Sequence, residues 1–220
     1  MKYENLEIED KNSKNLIITF GGIKEGIGMP VFEFYNSFVG LSCDKVFIKD
    51  VNQAWYHKGI NKNVNDIFMI KNLLESIIKR KSYNKVLLIG NSMGGYAAIL
   101  FGILLNVDNV IAFSPQTFLN RINRLRYRDK RWSVQISNVY LNNKDQKKFY
   151  DLKSFLMENK YDTNIDVYYS LNDKLDSKHS IRLKKQKRVN LFPIEKGNHN
   201  LIRVLRDEGK LLEIINKALH

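Results

Sequence analysis

The stretch KVLLIGNSMGGYAAILFG (residues 85–102) decides how this 220-residue chain is read. KVLLIG (85–90) is rich in leucine and β-branched residues, the composition of a buried strand, and a helix-forming run follows it without a linker. Between them GNSMG (90–94) matches G-x-S-x-G, the nucleophile-elbow pattern. The physics is steric. A strand that turns directly into a helix holds its serine in a strained conformation, and side chains two residues before and after would collide, so Gly90 and Gly94 are needed there. The strain lifts the Ser92 hydroxyl above the sheet, with the positive end of the helix beneath any developing oxyanion. Gly95, Ala97 and Ala98 let the helix pack closely on its strands. The same glycines would also suit an unreactive helix start, so the partners of Ser92 must be sought elsewhere in the chain.

Around the elbow, apolar runs alternate with amphipathic ones, the pattern of a parallel sheet covered by helices. Strands are expected at 15–20, 45–50, 85–90, 109–115, 165–170 and 189–196, and helices at 64–81, after Gly90, at 151–160 and at 201–219, with Gly209 a candidate break in the last. Residues 116–150 do not follow the alternation. They are basic and aromatic, and read as an insertion covering the C-terminal edge of the sheet, where open α/β sheets bind ligands.

A serine needs a base, and the base needs an acid to orient it, in the chain order Ser, Asp or Glu, His. His57 and His179 fall in the wrong places and His220 is the last residue. His199, in EKGNHNL after the sixth strand, is placed to swing over Ser92. For the acid, YYSLNDKLDSKH offers Asp173 at the loop tip, the preferred candidate, and Asp176, which reads as the N-cap of the following helix. His179 reads as a surface or capping residue. Two backbone N–H groups should hold the oxyanion, one from Met93 and the other from Gly22 or Ile23 in FGGIKEGIG (20–28). Trp55 and Tyr56, at the C-terminal end of the second strand, read either as a wall for the substrate or as a hydrophobic plug, and Asp50 as a cap for their loop.

Composition bounds the rest. At 44% hydrophobic and 27% charged residues the chain is an ordinary globular one, long enough for one domain spanning 1–220. No apolar run is long enough to span a bilayer, and the polar N-terminus lacks a signal-peptide core, so a cytoplasmic protein without an integral membrane segment is expected. The single cysteine, Cys43, excludes an internal disulfide and a thiolate metal cluster, and reads as a small packed residue. The net charge of +13 concentrates in RINRLRYRDKR (121–131) and RLKKQKR (182–188), which read as solvated faces or as attraction for a polyanion. No nucleic-acid motif accompanies them.

With Ser92, Asp173 and His199 in order, the chain resembles the α/β-hydrolase superfamily, and GNSMGGYAA resembles the elbow of its esterase and acyl-hydrolase members. The resemblance implies a single-domain α/β fold with a mostly parallel sheet flanked by helices. About six strands are legible against eight in the family pattern. FGG, D…WYHKG, GNSMGGYAA and AFSPQ are also similar to small serine hydrolases of bacterial surface-glycan synthesis, which implies a small-molecule or glycan ester substrate. The expectation is a cofactor- and metal-independent esterase or acyltransferase. The competing expectation is a non-catalytic module of the same fold that binds an anionic glycan or a protein through its basic segments.

Overall fold

A computed structural model of the chain describes residues 4–23, 32–141 and 144–219. In chain order the elements are β1 (Leu6–Glu9), β2 (Asn15–Phe20), β3 (Asp44–Ile48), α1 (Ile67–Ile78), β4 (Lys85–Asn91), α2 (Met93–Leu105), β5 (Asn109–Phe113), α3 (Arg121–Tyr127), α4 (Ser133–Tyr140), α5 (Leu152–Glu158), β6 (Asn164–Ser170), α6 (Lys174–Ile181), β7 (Val189–Ile194), α7 (Leu201–Asp207) and α8 (Lys210–Leu219). The strands form one seven-stranded sheet in the order β1-β3-β2-β4-β5-β6-β7, parallel except for β1. All six expected strands are present, their ends shifted by a few residues. The seventh, β1, escaped sequence reading because LEIE is short and buries only Leu6 fully.

Alternation along the strands divides the core. Val86 and Leu88 of β4 face one side, with Leu16, Ile18, Val110, Ala112 and the helices α1, α2 and α5. Leu87 and Ile89 face the other, with Ile17, Ile111, Phe113 and the apolar stripe of α7 and α8. Helix α2 is buried along nearly its whole length, which is why its sequence is apolar on all sides rather than amphipathic. Gly209, at φ +76°, separates α7 from α8 and divides the expected closing helix in two. The 116–150 insertion folds into α3, α4 and a 3₁₀ turn, Lys144–Phe149. Cys43 is buried, and burial pushes its thiol up to about 11, so it packs as a small apolar residue. Among the described residues no helix is long and apolar enough to cross a membrane.

Candidate active site

The elbow forms as its steric logic requires. Ser92 sits between β4 and α2 at φ 54° and ψ −114°, a left-handed φ unfavourable for any residue with a Cβ. A Cβ at Gly90 would lie 2.1 Å from the Gly94 carbonyl oxygen, and one at Gly94 would lie 2.0 Å from that of Phe20. Gly94 is therefore required by the neighbouring strand β2 as well as by the turn. The turn is pinned by the Ser92 N–H, which donates to the Phe113 carbonyl on β5 at 2.9 Å.

His199 lies in the loop between β7 and α7. Gly197, at φ +72°, turns this loop, and two bonds tie it to the neighbouring β6–α6 loop: Ser170 Oγ donates to the Gly197 carbonyl and Asn172 Nδ2 to that of Glu195, each at 3.1 Å. The imidazole then reaches Ser92 Oγ through Nε2 at 3.0 Å.

On its other side His199 Nδ1 meets Asp176, at 2.8 Å to Oδ2 and 3.0 Å to Oδ1. This corrects the sequence reading, which gave that place to Asp173 and the helix cap to Asp176. The two roles are exchanged. Asp173 is the N-cap of α6 and accepts from the amides of Leu175 and Asp176, both at 2.9 Å. Asp176 is thereby left in the first helical turn, fully buried and aimed at the imidazole. The signal was present in NDKLDS, because an aspartate at the strand-to-helix junction is the favoured cap and leaves the second one free. Burial pushes the Asp176 carboxyl up, but the hydrogen bond and charge of His199 and those of Arg131 outweigh it and hold the carboxyl below its ordinary value.

Arg131 was not singled out by the sequence. Its Nη1 donates to Asp176 Oδ1 at 2.9 Å, and its Nε and Nη2 both donate to Asp129 at 3.2 Å. Behind Asp129 stands His179, which is buried rather than at the surface as expected. Its Nε2 lies 2.9 Å from Asp129 Oδ2, and its Nδ1 accepts the Thr117 N–H at 3.0 Å. His57 is also buried, between Gln146 and Tyr96, and burial pushes it down to about 3, so it is neutral at physiological pH. His220 lies outside the described residues.

The oxyanion donors are only partly separated by the geometry. The Gly22 N–H donates to Glu33 Oε2 at 2.7 Å, while the N–H groups of Ile23 and Met93 have no hydrogen-bond partner among the described residues. Residues 24–28 of the same loop lie outside the described residues. Glu33 also accepts from Asn91 Nδ2 at 3.2 Å, and burial pushes its carboxyl up to about 7.

Trp55 and Tyr56 form no substrate wall. Both are fully buried, Trp55 Nε1 donating to Gln116 Oε1 and Tyr56 Oη to the carbonyls of Gly21 and Ile48. They are the plug. The Asp50 carboxylate caps their loop as expected, accepting from the amides of Asn52, Ala54 and Tyr56. Ligand atoms of Asp173, Asp176 and His199 lie within 4.8 Å of one another, a spacing a cation could use. His199 Nδ1 and Asp176 are already spent on each other, and the Arg131 guanidinium beside them opposes a second positive charge. A cavity of about 700 Å³ opens at Asn106, the far end of α2 from Ser92, and so lies away from this site.

The sequence matches no protein-family model and no curated protein. Its fold does match solved structures. The capsule O-acetyltransferase of Neisseria meningitidis serogroup A superposes with a TM-score of 0.71 over 96% of this chain and 92% of that one, at 17% identity. MGS-MChE2, an α/β-hydrolase enzyme from a lagoon-sediment metagenome, gives 0.61 over 96% and 94%, at 17% identity. Acetyl xylan esterase 1 from Thermoanaerobacterium gives 0.58 over 89% and 72%, at 14% identity. Seven strands, the elbow and these superpositions together assign the chain the α/β-hydrolase fold.

Proposed function

We propose that the protein transfers acyl groups from an ester through an acyl-enzyme on Ser92. One observation carries this reading: an unbroken chain from Asp176 through His199 to Ser92 Oγ, at 2.8 and 3.0 Å, ending on a serine held at positive φ. His199 Nε2 takes the hydroxyl proton as Oγ attacks the ester carbonyl, and Asp176 fixes the tautomer with the Nδ1 proton and balances the imidazolium. The Met93 and Ile23 amides receive the oxyanion. As the tetrahedral intermediate collapses, the alcohol leaves with the proton from Nε2, and Ser92 is left acylated. Water or a sugar hydroxyl then gives its proton to Nε2 and attacks the acyl carbon, and as the second tetrahedral intermediate collapses Nε2 returns the proton to Oγ and the serine is freed.

The proposed substrate is a carbohydrate O-acyl ester, with an anionic glycan as the alcohol or the acyl acceptor. An O-acetyltransferase acting on a capsule and an esterase acting on acetyl xylan share the fold, which supports this class. So does the insertion, where Arg121, Arg124, Arg128 and Lys130 line a cavity of about 400 Å³ and pair with no carboxylate among the described residues. A fluorophosphonate probe tests the nucleophile. A stoichiometric adduct on the native chain and none on S92A is expected. A folded native chain that takes no label refutes the enzyme and leaves a glycan-binding module of the same fold.

A further inference from the structure

We infer that Arg131, delivered by the insertion, is a positioning residue for the Asp176–His199–Ser92 relay and that the buried Asp129–His179 pair exists to aim it. The inference rests on the reading of Ser92 as a nucleophile. Its basis is a directed chain of bonds. Because the Thr117 N–H donates to His179 Nδ1, the ring proton sits on Nε2 and is donated to Asp129. The His179 ring cannot tilt away, since it stacks on Phe118 with centroids 3.8 Å apart. Asp129, so fixed, grips the Nε–Nη2 edge of the guanidinium with both oxygens and also accepts the Arg131 backbone N–H at 2.9 Å. The remaining edge presents Nη1 to Asp176 Oδ1, the same oxygen that lies 3.0 Å from His199 Nδ1. A planar fork can grip one carboxylate with two nitrogens while aiming a third at another, whereas a lysine ammonium is a point charge without that fixed geometry.

Two effects follow. The bridge fixes the plane of the Asp176 carboxylate and through it the direction of the imidazole. The positive charge of Arg131 also helps to hold the Asp176 carboxyl below its ordinary value, and so keeps it ionised against the imidazole. The other groups facing this histidine are Ser92 Oγ, the Asp173 carboxylate within 4.8 Å and Glu33, close enough to act on it electrostatically.

The test uses the full chain and two readouts from pH 5 to 9: the second-order rate of Ser92 labelling by a fluorophosphonate, and the proton NMR resonance of the His199 Nδ1–H that faces Asp176. R131M should slow labelling about 10- to 100-fold, the range found when the outer partner of a site ligand is lost. The Nδ1 resonance should shift. R131K should shift the resonance less than R131M while losing part of the rate, and D129N should change in the direction of R131M. Thermal unfolding checks that each variant is folded, and R131K and D129N carry the test if R131M is not. A folded R131M with an unmoved resonance overturns the inference, whether or not its rate falls, because a merely structural role would leave the resonance unchanged. A native chain that takes no label, while R131M still shifts the resonance, refutes the nucleophile reading instead and leaves the positioning intact.

Discussion

Among the described residues two histidine–aspartate pairs are joined by one arginine, and they differ in what the second ring nitrogen does. In Asp176–His199 the free nitrogen faces a serine hydroxyl on a strained turn. In Asp129–His179 it is consumed by a backbone N–H, and the ring is sealed beneath Phe118. Residue types and distances are nearly the same, so proximity of an imidazole to a carboxylate does not by itself mark a base. Access separates the two: 29% of the His199 side chain is solvent-exposed against 1% for His179.

The largest expected effect breaks the pair that faces Ser92. H199A should lose esterase or labelling activity by about 10³-fold or more with little change in unfolding temperature. H179A should do the reverse in kind, costing about 3 kcal/mol of stability, measured by denaturant unfolding, because it strands the Thr117 N–H and a buried aspartate. Next comes the carboxylate. D176N should lower kcat by about 10²- to 10⁴-fold, whereas D173A should cost on the order of 1 kcal/mol as a lost helix cap and leave kcat within a few-fold. Equal losses in the two would mean that the cap and the acid had been misassigned. The smallest effect concerns Glu33, the third carboxyl acting on His199. Its raised pKa means that the folded state keeps a proton the unfolded chain has lost. Its contribution to stability is therefore present below about pH 4.5 and fades as pH rises through about 7. From pH 5 to 8 the native chain should lose on the order of 1 kcal/mol relative to E33Q, a melting difference of a few degrees. Parallel melting curves would contradict this.

How much of this could be read in advance depends on the range of each interaction. Ser92 and its glycines are a local steric problem solved within five residues, so the pattern shows in the sequence. His199 was found because topology places the loop after the last strand at the same sheet edge. The carboxylate that meets His199 was misjudged by one helical turn, since its place depends on which aspartate the helix end takes, a competition that a loop-tip argument overlooks. Arg131 and Asp129 were out of reach. They sit in the segment that breaks the βα alternation, and Arg131 meets Asp176 across 45 residues of chain. Trp55 and Tyr56 carried no signal to separate wall from plug, because either use needs large aromatic side chains. Strand β1 was missed for want of length, as an antiparallel edge held mainly by its pairing with β3.

The reach of the Ser92–His199 bond, 107 residues, has a consequence for how the chain becomes competent. Neither the elbow nor the histidine loop has a reactive partner of its own, and the two meet only after β4, β5, β6 and β7 have paired in turn. Contacts of such sequence separation come at the end of assembly, once the loop-closure entropy has been offset by the rest of the sheet. Reactivity at Ser92 is therefore a clock for the last step of folding: in a refolding experiment it should lag behind the recovery of helical circular dichroism.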